Sequence, residues 1–334
     1  MRNAALLLLG IVWTSTACAV DVQDFLGRWA LYLPGGAGWL EVRQEKGYLD
    51  ADILWYGGSV VPVSAVYLEG DALVVEQGRR QVRRRDTDGK PTRSHTLVRR
   101  IKLKKKGEKQ LVARVVTPNR NGLGVQVTEF TAKKTPPLPT APNLAHQKYG
   151  PAVTLFNGKD LTGWRLTNPS AKNGFTAREG VLVNDPIKQP GRPRVHYGNI
   201  RTDREFEDFR LTLEVNVPKG SNSGIYLRGI YEVQVSDTQG RGLDSHHMGA
   251  IYSRITPSQA AEKPAGQWQS LDMTRCERHV TVILNGKTIV DNQPLLGVTG
   301  GALSADQFSP GPIYLQGDHG KVMFRNLVLH PIIK

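Results

Sequence analysis

The stretch GSNSGIYLRGIYEVQVSD, Gly220 to Asp237, decides how the rest of the chain is read. It opens on a turn of small residues, Gly220-Ser-Asn-Ser-Gly224, and continues as two short alternating runs hinged at Arg228-Gly229. Residues two apart on a strand share a face. Tyr226 and Arg228 therefore point one way and Ile225 and Leu227 the other. In the second run Glu232, Gln234 and Ser236 oppose Tyr231, Val233 and Val235. The apolar set suits a core. The Tyr, Arg, Glu and Gln set reads in two ways, as the wet outer face of a β-sandwich strand or as a surface that holds sugars.

The same pattern of short alternating runs extends on both sides. Between residues 151 and 334 it recurs at Phe209-Arg-Leu-Thr-Leu-Glu-Val215, Trp268-Gln-Ser-Leu-Asp-Met273, His279-Val-Thr-Val-Ile-Leu284 and Val322 to Leu329. Asn285-Gly286 supplies a hairpin turn. About a dozen such runs fit two packed, curved antiparallel sheets. Upstream, residues 20–132 hold seven or eight consecutive runs separated by turn signals such as Glu45-Lys-Gly47, Gly57-Gly58 and Asp86 to Lys90. That spacing predicts an up-and-down antiparallel barrel or sandwich. The Pro-rich stretch 133–150 reads as a linker in extended geometry. The whole chain is therefore expected to be all-β.

Residues 1–19 have the pattern of an export signal: Arg2, the apolar stretch Ala4 to Trp13, then Ala17-Cys18-Ala19. The apolar run is too short to span a bilayer. Lipid attachment at Cys18 is the alternative to ordinary cleavage, although Ser15 stands where a Leu is normal. Either route leads to a periplasmic or extracellular protein. The only cysteines are Cys18 and Cys276, so no disulfide framework is expected. Cys276 reads as a small buried side chain.

The formal charge is +14, unevenly spread. Residues 20–150 hold 22 Lys and Arg against 13 Asp and Glu, and residues 151–334 hold 21 against 17. The excess sits in Arg79 to Arg85 and Arg99 to Lys106. In an exported protein nucleic acid is not the expected partner. Lys102 and Lys104 alternate with Ile101 and Leu103, which favours a solvated strand face, with attraction to an anionic envelope surface as the other reading.

Several motifs of the second half, in order, carry a resemblance. These are Leu155-Phe-Asn-Gly-Lys-Asp-Leu-Thr-Gly-Trp164, Asn222 to Arg228, Tyr231 to Val235, His247-Met-Gly-Ala-Ile-Tyr252, Leu284-Asn-Gly286 and Gly311 to Gln316 followed by His319-Gly320. They resemble the 3-keto-disaccharide hydrolase family over 151–334. The resemblance implies a concanavalin-A-like jelly roll and action on glucosides oxidised at carbon 3.

Ordinary glycoside hydrolysis needs two carboxylates, and the face of Glu232, Gln234 and Ser236 offers one. A 3-ketosugar asks for less. The ketone acidifies the carbon 2 proton, so one base, one group at the oxyanion and one acid for the leaving oxygen suffice. Glu232 or His247 is the candidate base. Arg228, His319 or a bound cation is the candidate oxyanion partner, and Tyr252 or His247 the acid. Asn222, Tyr226, Gln234 and Gln316 are the candidate substrate-binding residues. Each has a plainer reading: Glu232 paired with Arg228 across the hairpin, His319 stabilising a turn, Asn222 capping one. Calcium occurs in lectin-like folds, but the spacing of Asp237, Asp244, His246 and His247 fits no familiar ligand pattern, so no metal site is assigned. The competing function is a non-catalytic carbohydrate-binding or envelope scaffold protein, which needs the polar face but no base.

Overall fold

The computed structural model describes residues 21–186 and 195–333, so the export signal and Cys18 lie outside the described residues. The described chain is built from β-strands with two short 3-10 turns, Val22–Asp24 and Leu144–His146.

The first unit is a nine-stranded antiparallel meander from Gly27–Leu33 to Val125–Lys134. Its inward residues, among them Leu31, Leu40, Ile53, Leu73, Ile101 and Leu111, form one buried cluster. The two edge strands of the sheet, Val61–Pro62 and Ala65–Glu69, are consecutive in the chain. Between them Val63 N donates to Ala51 O at 3.0 Å and Ser64 N to Glu76 O at 2.8 Å. The segment thus stitches both ends of the sheet together, and the meander curls into a barrel. The basic run at 99–106 alternates as expected: Ile101 and Leu103 are buried, while Arg100, Lys102 and Lys104 face outward. These outward cations are not merely solvated, since they reach Glu69 and Asp71.

The second unit is a sandwich. Its back sheet orders Phe175–Arg178, Val181–Asn184, Val322–Ile333, Phe209–Asn216, Trp268–Cys276, His279–Leu284 and Lys287–Pro294. Its front sheet orders Trp164–Leu166, Ile200–Thr202, Tyr314–Leu315, Asn222–Leu227 and Tyr231–Ser236. Asn285 and Gly286 turn the hairpin with φ of 51° and 79°, the positive pair that such a two-residue turn demands. Leu211, Leu213 and Leu271 from behind meet Ile225, Leu227 and Val233 from in front in a single core. Cys276 and Trp164 are buried.

That core does not stop at the second unit. Ala30, Ala37, Trp39 and Leu54, on the outer face of the first barrel, belong to it. Trp39 is register-paired with both Ala30 and Leu54, so the patch is continuous. Trp39 Nε1 donates to Leu296 O at 3.1 Å, and the Arg254 guanidinium lies 4.1 Å from the Trp39 ring centroid. The Pro-rich stretch is held too: Arg278 Nη1 donates to Pro136 O and Pro137 O, and Asn292 Nδ2 to Pro142 O.

Candidate active site

The hairpin Asn222–Leu227 and Tyr231–Ser236 turns its apolar face inward, as alternation requires. Its opposite face is not wet. Tyr226, Glu232 and Gln234 are only 1%, 4% and 3% exposed. Residues 249–252 pair along the free edge of Tyr231–Ser236, with Gly249 N donating to Gln234 O and Tyr252 N to Glu232 O, and the 299–301 turn lies over the face, where the Gly300 carbonyl accepts from Tyr226 Oη. What remains is a cavity of about 300 Å³ floored by Tyr226, Glu232 and Gln234. Tyr314 and Gln316 of the adjacent strand and its following loop line one side, and Tyr252 another. Asn222, Asp318 and His319 also line it. Gly57 and Gly58 of the first barrel complete the wall beside Gly300 and Gly301. The two glycine turns are in contact: Gly301 N donates to Tyr56 O at 2.9 Å, and a Cβ on Gly300 would lie 2.2 Å from Gly58 O.

Glu232 is the chemical centre of this cavity. Burial raises its pKa from 4.5 to about 7, against the opposing pull of the Tyr226 hydroxyl and of His319. Tyr226 Oη lies 2.8 Å from Glu232 Oε2 and 2.7 Å from the Gly300 carbonyl. A hydroxyl has one proton to donate. With Glu232 ionised, Tyr226 donates to it. With Glu232 protonated, the carboxyl donates to Tyr226, which then donates to Gly300 O. Both states of the acid are therefore hydrogen-bonded. The Tyr226 ring stacks on Tyr314 at 4.1 Å and 11°, and Asn199 Nδ2 donates to the Tyr314 hydroxyl at 2.7 Å. Gly224 makes room for the carboxylate, because a Cβ there would sit 2.3 Å from Glu232 Oε1.

The remaining groups of the cavity differ in how far the protein satisfies them. Gln234 Oε1 and Gln316 Oε1 are buried acceptors without a protein partner. Such atoms are costly when left bare, and both residues line the cavity. His319 is exposed, with Nδ1 2.6 Å from Asp318 Oδ1, which leaves Nε2 for the cavity side. Asp318 is a second carboxylate on the wall, already engaged by this histidine. The Tyr252 ring packs edge-on against His246, whose Nε2 is 2.8 Å from Ser59 Oγ of the first barrel.

Two of the sequence candidates lie elsewhere. Arg228 stands at the hinge with φ of 56°, one residue beyond the strand, so the alternation that would have aligned it with Tyr226 is broken. Its buried guanidinium donates to the Gln307 and Ser309 carbonyls and does not meet Glu232. His247 is 1% exposed and its Nε2 is 2.8 Å from Glu262 Oε1, away from the cavity wall. The residues weighed as metal ligands are likewise separately engaged: Asp237 accepts from Gly220 N and Asp244 from His246 N. Among the described residues no group of three or more His, Cys, Asp or Glu is arranged to hold a metal ion.

Residues 151–330 match the 3-keto-alpha-glucoside-1,2-lyase-like domain. The chain belongs to this family. It is a carbohydrate-active protein. Three solved structures from Parabacteroides distasonis, each described as a candidate glycosyl hydrolase, are similar to it. One is 30% identical over 54% of this chain and 83% of its own, with a TM-score of 0.45. The second is 22% identical over 53% and 92%, with a TM-score of 0.43. The third is 24% identical over 55% and 100%, with a TM-score of 0.41. None of the curated proteins compared matches the chain.

The 3-keto-alpha-glucoside-1,2-lyase-like domain does not enclose its cavity alone in this chain. The Gly57-Gly58 wall comes from outside the matched residues. Asn199, Tyr314 and Asp318 were missed as site residues. Tyr314 and Asp318 sit within or beside the motif from Gly311 to Gly320, and Asp318 precedes His319 directly, so a signal existed for both. For Asn199 the sequence carries only a strand signal, and for Gly57-Gly58 only a turn.

Proposed function

We propose that this protein cleaves 3-keto-glucosides, including 3-keto-disaccharides, by elimination followed by hydration, with Glu232 as the base. The observation that carries the reading is a buried carboxyl that titrates near neutrality, hydrogen-bonded to Tyr226 on the floor of a small polar cavity. A base works best when its pKa lies near the working pH. Ionised Glu232 takes the carbon 2 proton, and the electron pair of that C–H bond forms the enediolate with carbon 3. Tyr252 is assigned to hydrogen-bond the carbon 3 oxygen. The bond from carbon 1 to the glycosidic oxygen then breaks. His319, on the exposed side, gives the leaving oxygen its proton as the aglycone departs to solvent. Water adds to carbon 1 of the enone and carbon 2 regains a proton, so the net change is hydrolysis. Gln234 and Gln316 accept hydrogen bonds from sugar hydroxyls. The oligosaccharide reaches the protein outside the cytoplasm, in keeping with the export pattern of residues 1–19.

The test is turnover of 3-ketotrehalose beside trehalose, with wild type and Glu232→Gln in parallel. Glucose released from the keto substrate alone, and lost in the variant, supports the proposal. Cleavage of trehalose itself would replace it with two-carboxylate hydrolysis. Saturable binding with no turnover of either sugar would replace it with a carbohydrate-binding function.

A further inference from the structure

The first barrel has a cavity of its own, and its lining departs from what the rest of the barrel needs. The strands Ala72–Arg85, Pro91–Gly107, Gln110–Pro118 and Val125–Lys134 turn Val75, Ile101, Val115 and Phe130 into the buried core. Stepping by two keeps the face. Two or four residues further on, that same inward face carries Gln77, Arg79, Arg99, Thr117 and Gln126. Gln77 is register-paired with Arg99, and Thr117 with Gln126, so the change occurs in one row across four strands. The barrel is thus filled at one end and open at the other, around a cavity of about 680 Å³. Barrel mouths are recurrent ligand sites.

The charges in this mouth are arranged unlike those outside it. On the outer face, Arg100, Lys102 and Lys104 are ion-paired with Glu69 and Asp71. In the mouth, Arg79, Arg99 and Arg120 line the cavity, and among the described residues none of the three has a carboxylate partner within ion-pair distance; no Asp or Glu lines the space. Arg99 is half-buried and held in place. Its guanidinium lies 4.6 Å from the Trp55 ring centroid, and it donates to Gln77 Oε1 at 2.9 Å and Thr117 Oγ1 at 3.3 Å. Burial and the like charge of Arg79 lower its pKa, so the site holds positive charge against a cost. Arginines gathered around a cleft attract and orient acid groups. The cavity is far larger than one sulfate or phosphate, and its amide side chains suit hydroxyls.

We propose that this mouth is a second ligand site, which takes an acidic oligosaccharide bearing carboxylate or sulfate groups. Arg79, Arg99 and Arg120 bind the acid groups, and Gln77 and Gln126 the hydroxyls. Gly57 lines both this mouth and the Glu232 cavity, and Ser59, which also lines the mouth, is the residue bonded to His246. The two sites are therefore neighbours across the single turn 56–59, and one extended glycan can occupy both.

The experiment is calorimetric titration of the full chain with tetragalacturonate, a sulfated tetrasaccharide, maltotetraose and inorganic sulfate. Arg99→Gln, the double variant Arg79→Gln/Arg120→Gln and Lys104→Gln are titrated beside wild type. Saturable binding of one acidic tetrasaccharide, weakened about tenfold or more by either mouth variant but not by Lys104→Gln, supports the site. Which acid group binds follows from which tetrasaccharide does. Arg79 and Arg120 are exposed, so the double variant carries the test even if Arg99→Gln fails to fold. Equal weakening by Lys104→Gln, full competition by inorganic sulfate, or no binding of either acidic sugar would overturn the proposal. So would variant-sensitive binding to anionic vesicles without saccharide binding. Binding is scored apart from turnover, so failure here leaves the 3-keto reading standing.

Discussion

Glu232→Gln should make the folded protein more stable above pH 7 while removing its activity. The unfolded chain holds this carboxyl near its ordinary value of 4.5, and the folded protein raises it to about 7. Between those values the folded state binds a proton that the unfolded state has released. Stability then falls as pH rises through this window, because the unfolded state binds fewer protons. Each pH unit is worth about 1.4 kcal/mol. The cost of keeping an ionised carboxylate in the cavity therefore reaches the order of 3 kcal/mol above pH 7 and vanishes below about pH 4. Glutamine has nearly the same shape, can accept from Tyr226 and carries no charge. Denaturant titration of wild type and variant at pH 4.5, 6, 7 and 8 checks this. The midpoints should coincide at the lowest pH and separate progressively in the variant's favour, by roughly 6 °C in the corresponding thermal scans at pH 8. A difference that is constant with pH, or a variant less stable than wild type at pH 8, would refute the claim that burial holds this carboxyl near neutrality.

Further outcomes follow from the same cavity. The rate constant kcat/KM on a 3-keto-disaccharide should rise with pH along a limb centred at about 7. Tyr226→Phe removes the donor to the ionised carboxylate and should move that limb to higher pH, with a loss of about tenfold at pH 7, read from pH–rate profiles. Gly224→Ala introduces a Cβ 2.3 Å from Glu232 Oε1 without a positive φ to strain it. The carboxylate must shift by about 1 Å, which should lower kcat/KM about a hundredfold while the protein stays folded, measured by kinetics beside circular dichroism. Trp39→Ala opens the shared core and should cost about 3–5 kcal/mol, with proteolysis near residues 56–59 as a second readout.

The hairpin was legible because its two faces differ in kind: Ile225, Leu227, Val233 and Val235 against Tyr226, Glu232 and Gln234. Alternation placed the last three together, and the structure keeps them so. It failed at Arg228, where one residue of positive φ ends the strand. Alternation left the environment open between a wet strand face and a sugar-holding surface, because the covering turn and the first barrel are not visible in it. The burial that raises the Glu232 pKa comes from those long-range covers, which periodicity does not encode. A signal for the cover was present. Trp39-Leu40 and Ile53-Leu54 are apolar on both faces, as strands buried on both sides should be. His247 was drawn in by its motif and proximity in sequence, whereas its partner Glu262 is 15 residues away. The mouth of the barrel could be read only once the strand register showed which arginines share the inner face.

The most direct test of the central claim follows the carbon 2 proton itself. A 3-keto-disaccharide carrying deuterium at carbon 2 is incubated with the protein in ordinary water, and substrate and products are followed by mass spectrometry. With Glu232 as base, the label is lost to solvent as the glycosidic bond breaks, a primary isotope effect appears on kcat/KM, and Glu232→Gln does neither. Formation of the 3-keto sugar product with the deuterium still on its carbon 2 would contradict the account, because the bond would then have been cut without removing that deuteron.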